Sequence, residues 1–200
     1  VKQFLAAGVD VNAMLQPAEE DLTLGDNSFQ RQRRRNRAQV TSPLLLAVQN
    51  AHFDLALALV DAGADPNDVR TGFTPLHMIP GVRRPDSSDI SDGAPPQGAG
   101  SLSSAGFARE IVKRGADVNS RLAEGTRKRG GTSSLIETSG ATPLLFAADR
   151  VDVPLMRLLL ELGADPLLPN FNGTTPFLAA AGVGTQEPQE EAGEEGEALE

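Results

Sequence analysis

Residues 42–77 read SPLLLAVQNAHFDLALALVDAGADPNDVRTGFTPLH, and the reading of this stretch decides the fold. A Ser or Thr at a helix N-cap accepts a hydrogen bond from an amide that the helix leaves unpaired, and Pro at the first helical position costs nothing because its missing donor has no partner there. A short first helix, PLLLAVQN, is predicted. After a tight turn, FDLALALVDAG places Leu, Ala and Val at i, i+3, i+4 and i+7, the pattern of an amphipathic second helix. Gly63 then stands where a helix stops in a left-handed conformation, which costs Gly nothing and Ala about 1 kcal/mol or more. Another Thr-Pro follows at 74, so the stretch is one helix-turn-helix unit and the start of the next.

The unit recurs. Gly-x-Asp-x-Asn appears as GVDVN at 8–12, GADPN at 63–67 and GADVN at 115–119, with GADPL at 163–167 departing only in its last residue. The opening appears as SPLL at 42–45, TPLH at 74–77, TPLL at 142–145 and TPFL at 175–178. Opening to closing Gly is 21 residues in both the 42–63 and the 142–163 unit, and the last complete unit has a period of 33. A unit of this size buries its apolar face only against its neighbours, so a one-dimensional stack is expected, with no closed central core.

These residues resemble the ankyrin repeat. TPLHM at 74–78 is similar to its opening, GADPN to its closing turn, and His52 stands where the repeat usually has a Gly-His pair. The resemblance implies an all-α ankyrin-repeat solenoid of helix-turn-helix units with β-hairpin-like fingers. It further implies that His77 ties the start of its helix to the preceding finger, and that His52 serves the turn between helices. Leu45, Leu145 and Leu178 replace His77 in the other units, so that network is expected in one repeat at best.

Long loop insertions break the period, and they divide the chain. We read 1–12 as a partial repeat, 13–40 as an insertion, 41–73 as a repeat, and 74–119 as a repeat interrupted at about 81–105. An expanded finger at 120–140 follows, then a repeat at 141–173 and a partial repeat with an acidic insertion at 174–200. The interruption at 81–105 is rich in Pro, Gly and Ser, and deleting residues 86–100 is expected to leave the melting curve nearly unchanged. Because 1–12 supplies only a second helix and closing turn, and EALE at 197–200 reads as the start of another second helix, a fragment of a longer array is expected.

Composition excludes several classes. With no Cys and only two His, disulfides, thiolate metal sites and multi-histidine sites are out of reach, and no cofactor or metal is expected. No Trp, no Tyr and 8 Phe leave little for stacking bases, so no nucleic-acid partner is expected. The net charge of -9 is uneven, because residues 187–200 hold seven Glu and no Lys or Arg, whereas RQRRRNR at 31–37 holds five Arg. Most of the charge belongs to one insertion. No apolar run approaches the roughly eighteen residues of a membrane span, so a soluble, monomeric segment is expected, its compartment left open. Arg supplies 15 of 18 basic residues, a hint of a GC-rich bacterial source.

No Gly-x-Ser-x-Gly elbow, phosphate loop or His-Glu-x-x-His occurs, so no catalytic residue is expected. The resemblance implies protein recognition through fingertips and the exposed faces of first helices. The candidate contacts are Asp68, Arg70, Thr71 and Phe73 in one finger, Asn170, Phe171 and Asn172 in another, and Arg33, Arg34 and Arg35 in the basic insertion. Phe73 and Phe171 stand equally as packing residues against the next finger, and the Arg cluster as a solvated loop. The competing readings are a targeting module for an enzyme domain outside this chain and a structural spacer.

Overall fold

Four times the chain turns into a helix at a Ser or Thr followed by Pro, and each time the residue before Pro is extended, as the Pro ring requires. A computed structural model describes residues 3, 7–14, 41–84, 100–126 and 136–183; seven helices and no strand have bounds within them. The four that open on Pro are α1 (Pro43–Gln49), α3 (Pro75–Arg83), α5 (Pro143–Asp149) and α7 (Pro176–Ala180). Their partners are α2 (Phe53–Asp61), α4 (Ser104–Lys113) and α6 (Val153–Glu161). The hydroxyls of Ser42, Thr142 and Thr175 accept from the amides of Leu45, Leu145 and Leu178 at 3.2–3.3 Å, as the cap chemistry predicts.

The helices form two layers. α1, α3, α5 and α7 pack side by side in chain order, each of the first three also against its own second helix, and α2 packs against α4. Between the layers runs a strip of core that includes Leu44, Val48, Leu76, Ile79, Leu144, Leu155 and Leu159, all nearly inaccessible to solvent. Phe53 and Phe107 stack within it, their rings 5.0 Å apart. Phe177 shows what such a position looks like uncovered: it is equivalent to the buried Leu44, Leu76 and Leu144, yet it is 79% exposed at the last described helix. Stacking between neighbours, as the repeat pattern predicts, is what buries each face.

The tight turns between paired helices carry a backbone cost. Ala51 and Val151 have φ of 55° and 49°, the left-handed region that disfavours any residue with a Cβ. After each stands the cap of the second helix. Asp152 accepts from the Leu155 amide at 3.2 Å, whereas His52 makes no cap bond with its side chain.

In the unit between, no such tight turn joins α3 to α4. α3 runs on through Gly81 and Val82 to Arg83, and on the far side Gly100, Ser101 and Leu102 lie against the preceding unit. Asp54 of the preceding unit accepts from the amides of Ser101 (2.9 Å) and Leu102 (3.2 Å), and a Cβ on Gly100 would run into that carboxylate. On the other side Arg83 grips the buried Asp152 of the following unit through Nε (2.5 Å) and Nη2 (2.9 Å), while its Nη1 donates to Ser104. The segment is thus clamped to one neighbour where it leaves and to the other where it returns. A deletion of 86–100 would keep Ser101 and Leu102, whose amides make the bonds to Asp54. The basic cluster at 31–37 and the acidic segment at 187–200 lie outside the described residues.

Candidate recognition surface along the fingers

The closing turns build the edge from which the fingers rise. Gly63, Gly115 and Gly163 have φ of 102°, 96° and 97°, and open space surrounds the place of a Cβ on each, so backbone conformation alone selects Gly. Within each turn the Asp side chain accepts from the amide two residues on: Asn12, Asn67, Asn119 and Leu167 donate to Asp10, Asp65, Asp117 and Asp165 at 2.8–2.9 Å.

The Asn side chains do something the sequence reading did not foresee. Each reaches the next turn, where its Nδ2 donates to the Gly carbonyl and its Oδ1 accepts from the Asp amide. Asn12 bonds Gly63 and Asp65 (3.1 and 3.4 Å), Asn67 bonds Gly115 and Asp117 (2.8 Å each), and Asn119 bonds Gly163 and Asp165 (3.0 and 2.8 Å). Four turns are joined in one ladder. Leu167, whose side chain has no amide, stands 79% exposed at the position equivalent to these Asn residues. Only the recurrence of Asn itself signalled this, since the Asp bonds already account for the turn.

The first finger, 68–73, is held from inside. Asp68 is buried; its carboxylate takes Nε and Nη2 of Arg70 at 2.8 and 2.7 Å and the Arg70 amide at 3.0 Å, and the guanidinium holds that carboxyl below the usual carboxylate range. Phe73 is also buried, its ring 6.0 Å from that of Phe146. Arg70 is exposed, and Thr71, half-buried, donates to the Phe73 carbonyl. Of the four candidate contacts here, then, Asp68 and Phe73 face inward and Arg70 and Thr71 meet solvent.

The next two fingers form one body. Leu122 and Ala141 pair across the second finger, with Leu122 N donating to Ala141 O (3.1 Å) and Gly140 N to Leu122 O (2.8 Å), a hairpin-like arrangement. Leu122 and Ile136 drop beneath it into a second apolar cluster with Phe73, Leu145 and Phe146. The third finger turns about the buried Asn170, whose Oδ1 accepts from the Asn172 and Thr174 amides (3.1 and 2.8 Å) and whose Nδ2 donates to the Glu137 carbonyl at 2.8 Å. The Phe171 amide donates to Ser139 O at 3.0 Å, so the two fingers are laced together.

Phe171 itself is 55% exposed. Its ring lies against Gly140, where a Cβ would collide with it, and the Arg121 guanidinium stacks on it at 4.9 Å from the ring centre. Packing and exposure, posed by the sequence as alternatives, coexist in this residue. Asn172 is exposed. Arg33, Arg34 and Arg35 lie outside the described residues.

His77 departs from the expected tie. Its Nδ1 sits 2.7 Å from Thr74 Oγ1 and its Nε2 3.1 Å from the carbonyl of Ala141, which belongs to the following unit, not to the finger before it. A carbonyl only accepts, so Nε2 carries the proton and Nδ1 accepts from the Thr74 hydroxyl. Thr74 therefore makes no cap bond, unlike the other openings. Complete burial pushes the His77 pKa down to about 4, against the raising effect of its backbone bonds. The imidazole is neutral at pH 7 and links α3 to the next unit.

With this geometry in place, comparison with known proteins is direct. The ankyrin-repeat family model matches residues 41–70 and 139–171. Between them, these segments hold two of the units whose caps, turns and ladder are described above, and the fold is an ankyrin-repeat solenoid. The chain is 30% identical over 120 residues to the ankyrin repeat and LEM domain-containing protein 1 homolog of Caenorhabditis elegans. That alignment covers 60% of this chain and 14% of the nematode protein, so the chain spans about a seventh of the relative it matches. Among the described residues no helix is long and apolar enough to cross a membrane.

Proposed function

We propose that the chain is a protein-recognition module without catalysis of its own, and that the finger edge is its contact surface. One observation carries this reading: buried side chains, Asp68 and Asn170, fix the backbone of the fingers while Arg70, Thr71, Phe171 and Asn172 are left at least partly exposed on them. Side chains held in place before binding lose less entropy on association, which is what a recognition surface requires. Arg33, Arg34 and Arg35, which fall between two closing turns in the sequence, are proposed as further contacts on the strength of their charge alone. The partner is a protein, the module is a monomer, and the preference for Arg over Lys favours a bacterial source.

The test is capture of a partner by the intact chain, compared with a variant carrying Arg70→Glu, Thr71→Glu and Asn172→Arg and with a chain lacking residues 13–40. The reading expects a partner retained by the intact chain and lost from the triple variant, which keeps its helical circular dichroism while its melting temperature falls with the loss of the Arg70–Asp68 pair. A partner held equally by all three proteins would place recognition away from these residues, and none held by any would leave a structural spacer as the better account.

A further inference from the structure

Most of the arginines whose ion pairs are described here are already neutralised. Arg70 is paired with Asp68, Arg83 with Asp152, Arg109 with Glu161, and Arg114 with both Asp61 and Glu110. Arg121 is different. Its Nε donates to the carbonyl of Gly140 at 3.1 Å and its Nη2 to that of Pro169 at 2.5 Å, and its third contact is the Phe171 ring. Carbonyls and a ring orient a guanidinium without cancelling its charge. No carboxylate among the described residues pairs with it, and Nη1 makes no bond there.

Two backbone anchors on different fingers and a stacked ring hold this cation still. Exposed arginines ordinarily lose rotamer freedom when they bind, and here that loss is already met by the fold. Beside the cation stands an apolar ring, 55% exposed and fixed by Gly140. Arg and aromatic side chains held in this way are the residues that most often dominate protein interfaces. The charge of the finger points the same way, since residues 120–140 hold four basic and two acidic side chains on a chain of net charge -9.

We propose that Arg121 and Phe171 form a two-part seat for an acidic peptide segment of a partner protein. The guanidinium takes a carboxylate through a charge-assisted hydrogen bond from Nη1, and the phenyl ring covers the apolar side chain next to it. The proposal rests on the recognition reading above and adds the chemistry of the partner to it.

The test is titration of the isotope-labelled full chain with the blocked tripeptide acetyl-Glu-Leu-Glu-amide, followed by amide chemical shifts, beside its neutral counterpart acetyl-Gln-Leu-Gln-amide. Shifts centred on Arg121, Gly140 and Phe171 are expected, weakened by added salt and about tenfold weaker with the neutral peptide, the scale of one charge-assisted contact. Arg121→Gln should abolish the response and Arg121→Lys should keep part of it. Equal response to both peptides, shifts centred on Arg70, or no shift would overturn the proposal. The two-peptide comparison is made on the native chain, so it decides the matter even if the Gln variant loosens the fingers. A partner captured through other fingers, with no response at Arg121, would end this proposal and leave the recognition reading standing.

Discussion

His77 shows how one residue couples a helix start, a neighbouring repeat and pH. In the unfolded chain its imidazole takes a proton near pH 6.5, but in the fold burial delays this to about 4. Protons therefore favour the unfolded state throughout that window. The contribution of neutral His77 is fully present above pH 6.5 and is lost as pH falls toward 4, by about 3 kcal/mol for a shift of this size. Leu, which occupies the equivalent buried positions 45 and 145, has no such dependence. His77→Leu should destabilise the protein at pH 7 by about 1 kcal/mol, since it leaves the Ala141 carbonyl unpaired while the Thr74 hydroxyl is released to cap its helix as Thr142 does. Urea midpoints measured between pH 7 and 4 should then converge or cross with those of the native chain; parallel curves would show that His77 does not titrate in this way.

The residue scale is also where the sequence was least informative about the surface. The resemblance places contacts at the fingertips, which puts Asp68 and Asn170 among the candidates. In the fold each satisfies amides of its own finger, a role that depends on backbone orientation rather than residue type. Thr74 was read as a cap on the same grounds as Thr142, and its hydroxyl went instead to an imidazole three residues on. The unneutralised charge of Arg121 had no sequence signal at all, because it is defined by which carboxylates are absent around it in space.

At the scale of the element, helix starts, helix stops and apolar faces were legible because each follows from chemistry within a few residues: a hydroxyl before Pro, a Gly with positive φ, a 3.6-residue period. The turn between α1 and α2 makes this quantitative. Ala51 holds φ of 55° where Gly would be unstrained, although the side chain it would lose is itself buried. The conformational cost is about 1 kcal/mol and a buried methyl gives back somewhat less, so Ala51→Gly should stabilise by a few tenths of a kcal/mol. Thermal melting should show a small upward shift. A clear fall would mean that the strain at this turn is met by packing around the methyl group. The clamps at the ends of the segment between α3 and α4 were not legible, since Asp54 lies 47 residues from Ser101 and Asp152 lies 69 residues from Arg83.

Over the whole molecule, the fold depends on how strongly each repeat feels the next. Burial of Leu44, Leu76 and Leu144 between layers supplies the non-directional part of that coupling, and the asparagine ladder supplies a directional part along the finger edge. Leu stands in place of His77 in three of four units, so the histidine tie is expected in one repeat at best. The ladder supplies ties that this argument did not count. It also keeps the closing turns in register, and the turns carry the fingers on which the recognition surface is built.

The most direct measurement is equilibrium urea unfolding of the full chain and of Asn67→Ala, with m-values compared. Asn67 joins the second closing turn to the third through two bonds of 2.8 Å, and its loss removes them without touching the core. Coupled repeats predict a midpoint lowered by the equivalent of about 1–2 kcal/mol and a shallower transition, as the units on either side begin to unfold separately. An unchanged midpoint with an unchanged slope would contradict the claim that the ladder couples the repeats.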